Sequence, residues 1–393
     1  MTTSTIGAEA GLRKILWLLA PAITLVVASE FIVVGLLPMV AAQFALSLAE
    51  AGRLTSLFAL SAATLGPGLT LLASRWPPRQ VLVATLLLFA LGNGVMAWAT
   101  RFDWLLVARF AQGAALPAFV SVSAAVVTAL ALPGRKGNAL ANANIGFVLG
   151  VLLALPMGVV VAQWGDWRMP FAVLTVASLA SAAMTWLYFP DIRLDNPPSV
   201  GEQLQLLRQP VFLLHLLLSV VLFAAMFAAY TFLAAWLERG LQLSSREVAL
   251  ALLLFSVGGL FGNSVAARVV DRAPTLATAV TALALAVSVN AADAFAGLWP
   301  VVVVLMGVWS MAHTAGVTLS QVRVTLVGGR SSAFAMTMNL ACANLGIAIG
   351  AFSGGWSMDR WGDQAIGWAP AAFALVALGL CVLLVLGGSR RDR

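Results

Sequence analysis

The sequence predicts an all-α membrane protein with twelve transmembrane helices in two pseudo-symmetric six-helix bundles. Composition is the first observation, because 61% of the 393 residues are hydrophobic, only 9% are charged and the mean hydropathy is +0.98. A soluble protein carries about 25% charged residues. The second observation is a series of long apolar segments, and the third is a motif that recurs in both halves of the chain.

Apolar segments of roughly 20 residues follow one another along the chain, which is the length that a helix needs to span a bilayer. In the first half they lie at about 15–40, 52–72, 80–99, 104–130, 139–162 and 170–189, and in the second at about 211–237, 247–269, 275–293, 298–320, 332–357 and 367–387. The first segment is too long for a signal-peptide core and has no convincing cleavage site, so we predict that it is a transmembrane helix.

One long polar connection divides the chain in its middle. Residues 190–210 hold three acidic side chains and several prolines between two apolar segments. We therefore predict an N-terminal six-helix bundle over 1–189, a cytoplasmic linker over 190–210 and a C-terminal six-helix bundle over 211–393.

The two halves carry the same motifs in the same order. The sequence ANIGFVLG at 143–150 reappears as ANLGIAIG at 343–350, and Trp-Gly-Asp follows each copy, at 164–166 and at 361–363. A basic turn precedes both copies. Two repeated six-helix halves are typical of a transporter built from parallel repeats, with its substrate site at their interface near the middle of the membrane.

Positive charge is distributed unevenly between the two sides of the predicted membrane. The formal net charge is +7, but of the 22 lysines and arginines fifteen fall on the helix ends and loops of one side and five on the other. The fifteen are Arg13, Lys14, Arg75, Arg79, Arg135, Lys136, Arg193, Arg208, Arg268, Arg272, Arg323, Arg330, Arg390, Arg391 and Arg393. This asymmetry predicts that both termini lie in the cytoplasm, and it argues against nucleic acid as a partner. We expect the protein in the cytoplasmic (inner) membrane.

Small residues recur at every fourth position of spans five and eleven. They are Gly146, Gly150, Ala154 and Gly158 in the first half, and Gly346, Gly350 and Gly354 in the second. This spacing puts them on one helix face, where another backbone can approach closely. The face serves either tight helix packing or a seam along which the two halves rock, and both roles are compatible with the pattern.

Glu30 is the acidic residue that lies deepest in any predicted span. Its neighbours three and four positions away are all valine: Val26, Val27, Val33 and Val34. A charge at membrane depth costs roughly 2.5–3.5 kcal/mol on insertion scales, so such a residue normally faces a partner or a water-filled cavity. If the protein couples transport to protons, we expect Glu30 to carry the proton.

The motifs around these residues resemble those of the major facilitator superfamily, and within it the twelve-helix drug:proton antiporter group that includes sugar-efflux and arabinose-efflux-like permeases. SEF at 29–31 with GLLP at 35–38 resembles the first-helix signature, RFAQG at 109–113 the fourth-helix motif, and ALPMG at 154–158 the antiporter motif with its Pro156. The loop at 73–79 departs from the family because its acid is missing, whereas the second half keeps Asp271 and Arg272 as gating candidates. The resemblance implies export driven by the proton gradient, with no cofactor.

Glu30 and Arg109 are the predicted proton-coupling pair. Glu30 lies about 10–15 Å from the outer end of its span at 1.5 Å per residue, and Arg109 lies near the outer end of span four. We expect the two side chains to meet in the outer half of a central cavity. A carboxyl group whose proton occupancy depends on whether arginine or solvent is closer can load and release a proton. The alternative is a static, structural ion pair.

Further polar and aromatic residues are candidates for the substrate site. Amides on the repeated helices either hydrogen-bond between helices or hold a substrate, and aromatic rings at helical spacing suit a sugar ring or a flat lipophilic drug. The candidates are Phe31, Gln112, Asn142, Asn144, Phe223, Phe227, Tyr230, His313, Asn339 and Asn344. The other histidine, His215, is expected at the membrane interface, and no cluster of metal-ligating residues stands out.

Three functions remain open from the sequence. No phosphate-binding loop, Ser-His-Asp arrangement or pair of carboxylates is evident, so we predict neither an enzyme nor an ATP-driven pump. The first reading is a proton-coupled exporter of a sugar or a small amphipathic drug, working as a monomer in the lipid bilayer. The second is an importer or uniporter of the same fold, and the third is a membrane receptor that binds a ligand without moving it.

Overall fold

Helices make up nearly all of the backbone, as the hydropathy pattern predicts. The computed structural model describes residues 3–131, 136–192, 205–269, 273–329 and 332–389, and within these ranges there is no β-strand. The first-half helices are α1 (Thr3–Gln43), α2 (Leu48–Thr64), α3 (Gly66–Ala73), α4 (Pro78–Trp98), α5 (Phe102–Leu130), α6 (Lys136–Ala162) and α7 (Met169–Tyr188). The second-half helices are α8 (Pro210–Tyr230), α9 (Ser245–Val269), α10 (Pro274–Ala294), α11 (Trp299–Gly328), α12 (Ser332–Trp361) and α13 (Trp368–Ser389).

The predicted all-α membrane architecture is confirmed. Ten of the described helices are long and apolar enough to cross a membrane, and α2 with α3 forms a further span that bends by 51°. The 27 residues of α6 complete a set that is consistent with twelve spans. The predicted linker lies largely in 193–204, outside the described residues.

The bend between α2 and α3 has a local cause. Gly66 begins α3 directly against α5, where an added Cβ would lie 2.4 Å from the Pro117 side chain. Pro67 follows in the first turn of α3, a position where the missing N–H costs nothing because the donor would be unpaired. The chain can therefore restart a helix in a new direction at this point.

Local sequence also explains where other helices begin. Ser47 caps α2, since its hydroxyl accepts from the Glu50 N–H at 3.1 Å while the Glu50 carboxylate accepts from the Ser47 N–H at 2.9 Å. This is the reciprocal capping box that stabilises a helix start. Proline occupies the first turn of five longer helices: α4, α7, α8, α10 and α11.

The sequence repeat is also a repeat of packing. Helix α6 packs along α1 in the first half, and α12 packs along α8 in the second. An added Cβ on Gly146 would lie 2.3 Å from the Ala20 carbonyl oxygen, and one on Gly346 would lie 2.4 Å from that of Val220. Positions in α1 and α8 therefore correspond with an offset of 200 residues.

The glycine faces of α6 and α12 pack within their own halves. Besides the two contacts above, they include the approaches of Gly150 to Thr24, Gly158 to Ile32, Gly350 to Ala224 and Gly354 to Ala228. Every one of these partners belongs to the first helix of the same half. The structure thus uses these positions for close packing, and other residues form the contact between the halves.

The two halves meet where α2 begins and α12 ends. Helix α2 packs against α12 and α6 packs against α9. The Ser47 hydroxyl donates to Asp359 Oδ2 at 2.7 Å. Phe232 fills the narrow space next to two interface glycines, since added Cβ atoms would approach its ring to 2.8 Å at Gly52 and 3.0 Å at Gly355. We call this region, formed by Ser47, Gly52, Phe232, Gly355 and Asp359, the closed end.

Candidate functional site

Glu30 lies at the contact between the two halves, deep in α1. Its side chain is 9% exposed, and Ser29 beside it is fully buried. Glu30 interacts electrostatically with Tyr230 of α8, the residue that corresponds to it at the offset of 200. The pseudo-symmetry of the fold therefore brings an acid and a phenol to equivalent positions, one from each half.

Arg109 does not bind the Glu30 carboxylate directly. The guanidinium donates to the backbone carbonyl oxygens of Ser29 at 2.7 Å, Glu30 at 2.9 Å and Leu54 at 3.2 Å, and it lies 4.2 Å from the centre of the Phe58 ring. Among the described residues the two make no ion pair within 4 Å, although they interact through space. Arg109 and Glu30 are therefore in contact, as predicted, but the contact is between the guanidinium and the main chain of α1.

A buried chain of amides continues from Arg109. Gln112 Oε1 lies 3.4 Å from the guanidinium, and its Nε2 donates to Asn93 Oδ1 at 3.1 Å and to the Phe89 carbonyl at 3.2 Å. Asn93 Nδ2 in turn donates to the Ser29 hydroxyl at 2.9 Å. Gln112, predicted as a substrate contact, has both ends of its amide engaged by protein. Gln112 therefore positions Arg109 directly and α1 through Asn93.

Asn93 was missed by the sequence reading. The signal was a lone amide between Gly92 and Gly94 in the middle of an apolar span, which normally has an interhelical partner. Gly92 is part of the same arrangement, since an added Cβ would lie 2.6 Å from the Gln112 amide.

Aromatic rings and a histidine surround Tyr230. The Tyr230 ring lies 4.3 Å from the His313 ring, and Phe227 lies 5.2 Å from His313 and 6.2 Å from Phe223. Phe31 from the first half joins this group at 6.1 Å from Phe227. The structure thus brings five predicted candidates together, and one of them, Phe31, follows Glu30 directly in α1.

Two members of this aromatic group were not predicted. Phe255 lies 5.8 Å from Tyr230 and 5.4 Å from Trp309. Both residues lie in spans with many other apolar residues, so the sequence alone did not distinguish them from lipid-facing positions. His313 Nδ1 is buried and has no hydrogen-bond partner among the described residues, which leaves a polar atom in this wall available to a solute.

The remaining predicted site residues lie away from the aromatic group or outside the described residues. Asn344 donates to the Leu340 carbonyl of its own helix at 3.0 Å. Asn339 accepts from Ser320 at 2.9 Å, in a separate polar cluster. Pro156 is buried in α6. The side chains of Asn142 and Asn144 lie outside the described part of the structure, and so do Asp271 and Arg272 as whole residues.

Two predictions about charged or titratable groups near the start of α8 are wrong. Arg323 was placed at a helix end or loop, but α11 continues to Gly328 and buries Arg323 to 1% exposure. His215 was placed at the membrane interface, but it is buried against Arg323, with its Nδ1 2.8 Å from the guanidinium. Each polar side chain provides the partner that lets the other lie inside the bundle.

The chemical capacity of the central site follows from these groups. One carboxyl group can take up and release a proton, and aromatic faces beside it can bind an apolar ring. Within the described ranges, no group of three or more histidine, cysteine, aspartate or glutamate side chains is arranged to hold a metal ion.

Comparison with known proteins shows both sequence and structural relatives. A family model described as Major Facilitator Superfamily matches residues 19–325. The chain is 32% identical over 269 residues to a chloramphenicol resistance protein of Streptomyces lividans, an alignment that covers 67% of this chain and 69% of the relative.

Solved structures show the same fold at low sequence identity. A bacterial homologue of the human lysosomal transporter Spinster, in an inward-facing and unoccupied conformation, superposes with a TM-score of 0.74 at 17% identity, covering 96% of this chain and 95% of the other. A mutant of the nucleoside transporter NupG superposes with a TM-score of 0.77 at 15% identity, covering 94% and 99%.

Proposed function

The chain belongs to the major facilitator superfamily, and from that premise we propose that it exports small amphipathic organic solutes in exchange for protons. As a member of this superfamily it is a multi-pass membrane transport protein and not an enzyme. Export of a drug-like solute is supported by its similarity to a chloramphenicol resistance protein. Proton coupling is supported by the buried carboxyl group at the contact between the halves.

The observation that carries the proposal is the position of Glu30. Glu30 interacts electrostatically with Tyr230, which belongs to the wall of rings in the second half, while Arg109 binds the Glu30 main-chain carbonyl. A solute that enters this wall changes the surroundings of the same carboxyl group that binds the proton. Solute and proton therefore compete for one site, which is the requirement for exchange.

The aromatic wall favours solutes that carry an aromatic ring and a polar group. The rings of Phe227, Tyr230 and Phe255 provide flat apolar faces, and His313 Nδ1 is an unpartnered polar atom among them. A nitrophenyl or similar ring with hydroxyl or amide groups matches both features. The sequence left a sugar equally open as the solute, but a sugar would make fewer apolar contacts with these rings.

The proposed cycle uses the closed end as one of two gates. If both termini are cytoplasmic, as the charge asymmetry predicts, the contact between Ser47 and Asp359 lies on the outer side. On that basis we propose that the structure represents an inward-facing state. Binding of a solute from the cytoplasm and a proton from outside then alternate as the halves rock. The whole pathway lies within one chain, and we propose that the monomer is the working unit.

The test uses everted membrane vesicles that contain either the wild-type protein or Glu30→Gln. With an imposed inside-acid pH gradient, we expect chloramphenicol or another ring-bearing amphipathic compound to dissipate the gradient in wild-type vesicles and at least about tenfold less with the variant. Asp103→Asn is the matched control, because Asp103 is an exposed acid of the same half.

Each other outcome assigns a different function. Solute uptake that is equal in wild type and Glu30→Gln, with no proton movement, contradicts exchange and indicates a uniporter. Proton movement elicited by sugars alone contradicts the proposed solute class. Binding without flux across the panel indicates the receptor.

A further inference from the structure

A second buried polar cluster lies inside the C-terminal half, well separated in sequence from Glu30. We call it the inner cluster, and it comprises His215 and Ser219 of α8, Ser320 and Arg323 of α11, and Asn339 of α12. All five side chains are at least nine-tenths buried. Because α8 begins and α11 ends here, the cluster lies toward the opposite side of the membrane from the closed end.

Arg323 is the centre of the inner cluster. Its Nη1 donates to the His215 carbonyl at 2.8 Å and lies 2.8 Å from His215 Nδ1, and its Nη2 donates to the Ser219 hydroxyl at 3.1 Å. Ser320 Oγ lies 2.9 Å from both Ser219 Oγ and Asn339 Oδ1. One guanidinium therefore links α11 to α8 by three contacts, and a hydroxyl continues the link to α12.

The N-terminal half shows that the fold does not require this cluster. In α1 the positions equivalent to His215 and Ser219, at the offset of 200, are Ile15 and Leu19. Helices α5 and α11 can be aligned through an equivalent contact. Arg109 of α5 donates to the Leu54 carbonyl, and Ser310 of α11 donates to the Phe255 carbonyl, so positions in α5 and α11 correspond with an offset of 201 residues.

By this offset the equivalent of Arg323 is Val122. Ile15, Leu19 and Val122 are all buried. The first half thus builds the same helix crossing from apolar side chains. Burying a charge in place of such packing costs desolvation free energy, so packing alone does not account for Arg323 at this position.

The contact between Arg323 and His215 depends on the protonation state of the histidine. A guanidinium has five N–H donors and no acceptor, so Nδ1 must accept and His215 must be neutral with its proton on Nε2. A proton on Nδ1 removes that acceptor and places two cations in contact. Within the described part of the chain no acidic residue forms an ion pair with either group to offset this repulsion.

We propose that His215 and Arg323 form a proton-sensitive clamp between α8 and α11. With neutral His215 the clamp is closed. When His215 binds a proton, Arg323 leaves Nδ1, and the two helices separate at this end of the bundle. Among the described residues, the other titratable groups packed about the pair are Cys342 of α12 and Cys381 of α13, and neither supplies a charge that could hold an imidazolium in place.

This inference is independent of the proposed export function. In the proposed orientation the clamp faces the cytoplasmic side, so strong acidification of that side would loosen the C-terminal half there. It concerns a different proton from the one on Glu30, and it holds whether or not Glu30 couples transport.

The experiment measures amide hydrogen exchange of the purified full-length protein in detergent at about pH 7.5 and about pH 4, a low value because contact with Arg323 opposes protonation of His215. Wild type is compared at each pH with His215→Asn, whose Oδ1 stands where Nδ1 was and accepts the same bond without titrating. We expect peptides from 211–222 and 316–328 to exchange alike at the higher pH. At the lower pH they should exchange at least about fivefold faster in wild type than in the variant.

Two further variants keep the test decisive. Arg323→Gln removes the clamp, and the same peptides should then exchange fast at both pH values. His313→Asn removes the other histidine of the chain and should leave the acid-induced difference in these peptides intact. Equal exchange of wild type and His215→Asn at the lower pH, or a difference that disappears with His313→Asn, would overturn the proposal.

Discussion

At the scale of single residues, the two buried arginines have different roles. Arg109 binds three main-chain carbonyl oxygens and stacks over Phe58, whereas Arg323 binds a titratable side chain. Hydrogen bonds from a charged donor contribute about 1.5–3 kcal/mol each. Arg109 therefore fixes the turn of α1 that carries Glu30, and its effect on Glu30 is through position as well as charge.

We predict that Arg109→Gln lowers the free energy of unfolding by about 2–4 kcal/mol, because the shorter amide cannot reach the carbonyls of both α1 and α2. The measurement is the unfolding midpoint of the purified protein in a mild denaturant. Arg101→Gln is the control, since the Arg101 side chain is 73% exposed and pairs only with exposed Asp103. Equal midpoints for the two variants would show that the carbonyl contacts do not hold α1.

At the scale of helices, close approach of backbones sets the architecture of each half. The glycines of α12 allow α8 to lie against it so closely that an added Cβ at Gly350 would come within 2.5 Å of the Ala224 carbonyl oxygen. Neither helix backbone can yield by this distance without moving as a whole. Small side chains at these positions are therefore a condition of the packing of α12 against α8.

The matched pair Gly350→Ala and Gly379→Ala tests this point. We expect Gly350→Ala to destabilise the protein by about 1–3 kcal/mol through overpacking. Gly379 has nothing within 4 Å of its Cβ position, so Gly379→Ala should be neutral or stabilising by up to about 1 kcal/mol through helix propensity. Thermal unfolding in detergent measures both, and a loss of stability at Gly379 as large as at Gly350 would contradict the packing argument.

At the scale of the whole molecule, one end is closed by contacts between the halves. The bond between Ser47 and Asp359 joins residues 312 positions apart, and Phe232 fills the space beside Gly52 and Gly355. A transporter that alternates must break these contacts in each cycle. Transport therefore requires the two halves to separate at the closed end.

We expect a short thiol cross-linker to join Ser47→Cys and Asp359→Cys in a background without Cys342 and Cys381. The cross-link should hold the closed end shut, abolish solute flux, and be reversed when the linker is cleaved by reductant. Each single-cysteine protein treated in the same way should retain its flux. Full flux through the cross-linked double variant would show that this end does not open during transport.

The sequence by itself determined the fold class, the approximate spans, the internal repeat and the buried acid. These features depend on hydrophobicity and spacing within one segment, or on similarity between segments, and both can be read along the chain. Glu30 was recognisable because no residue on its own helix offsets its charge. Phe223, Phe227 and Tyr230 were identified as candidates by their helical spacing within one span, and His313 was identified separately as a histidine in another span.

Only the tertiary structure decided which groups are partners. The carbonyl contacts of Arg109, the amide chain through Asn93 and the burial of Arg323 against His215 join residues 19 to 108 positions apart. A polar residue in an apolar span predicts that a partner is present, but the sequence does not show which helix supplies that partner. That choice depends on the order and rotation of the packed helices, because the free energy of a buried polar group depends on the contacts made across the bundle.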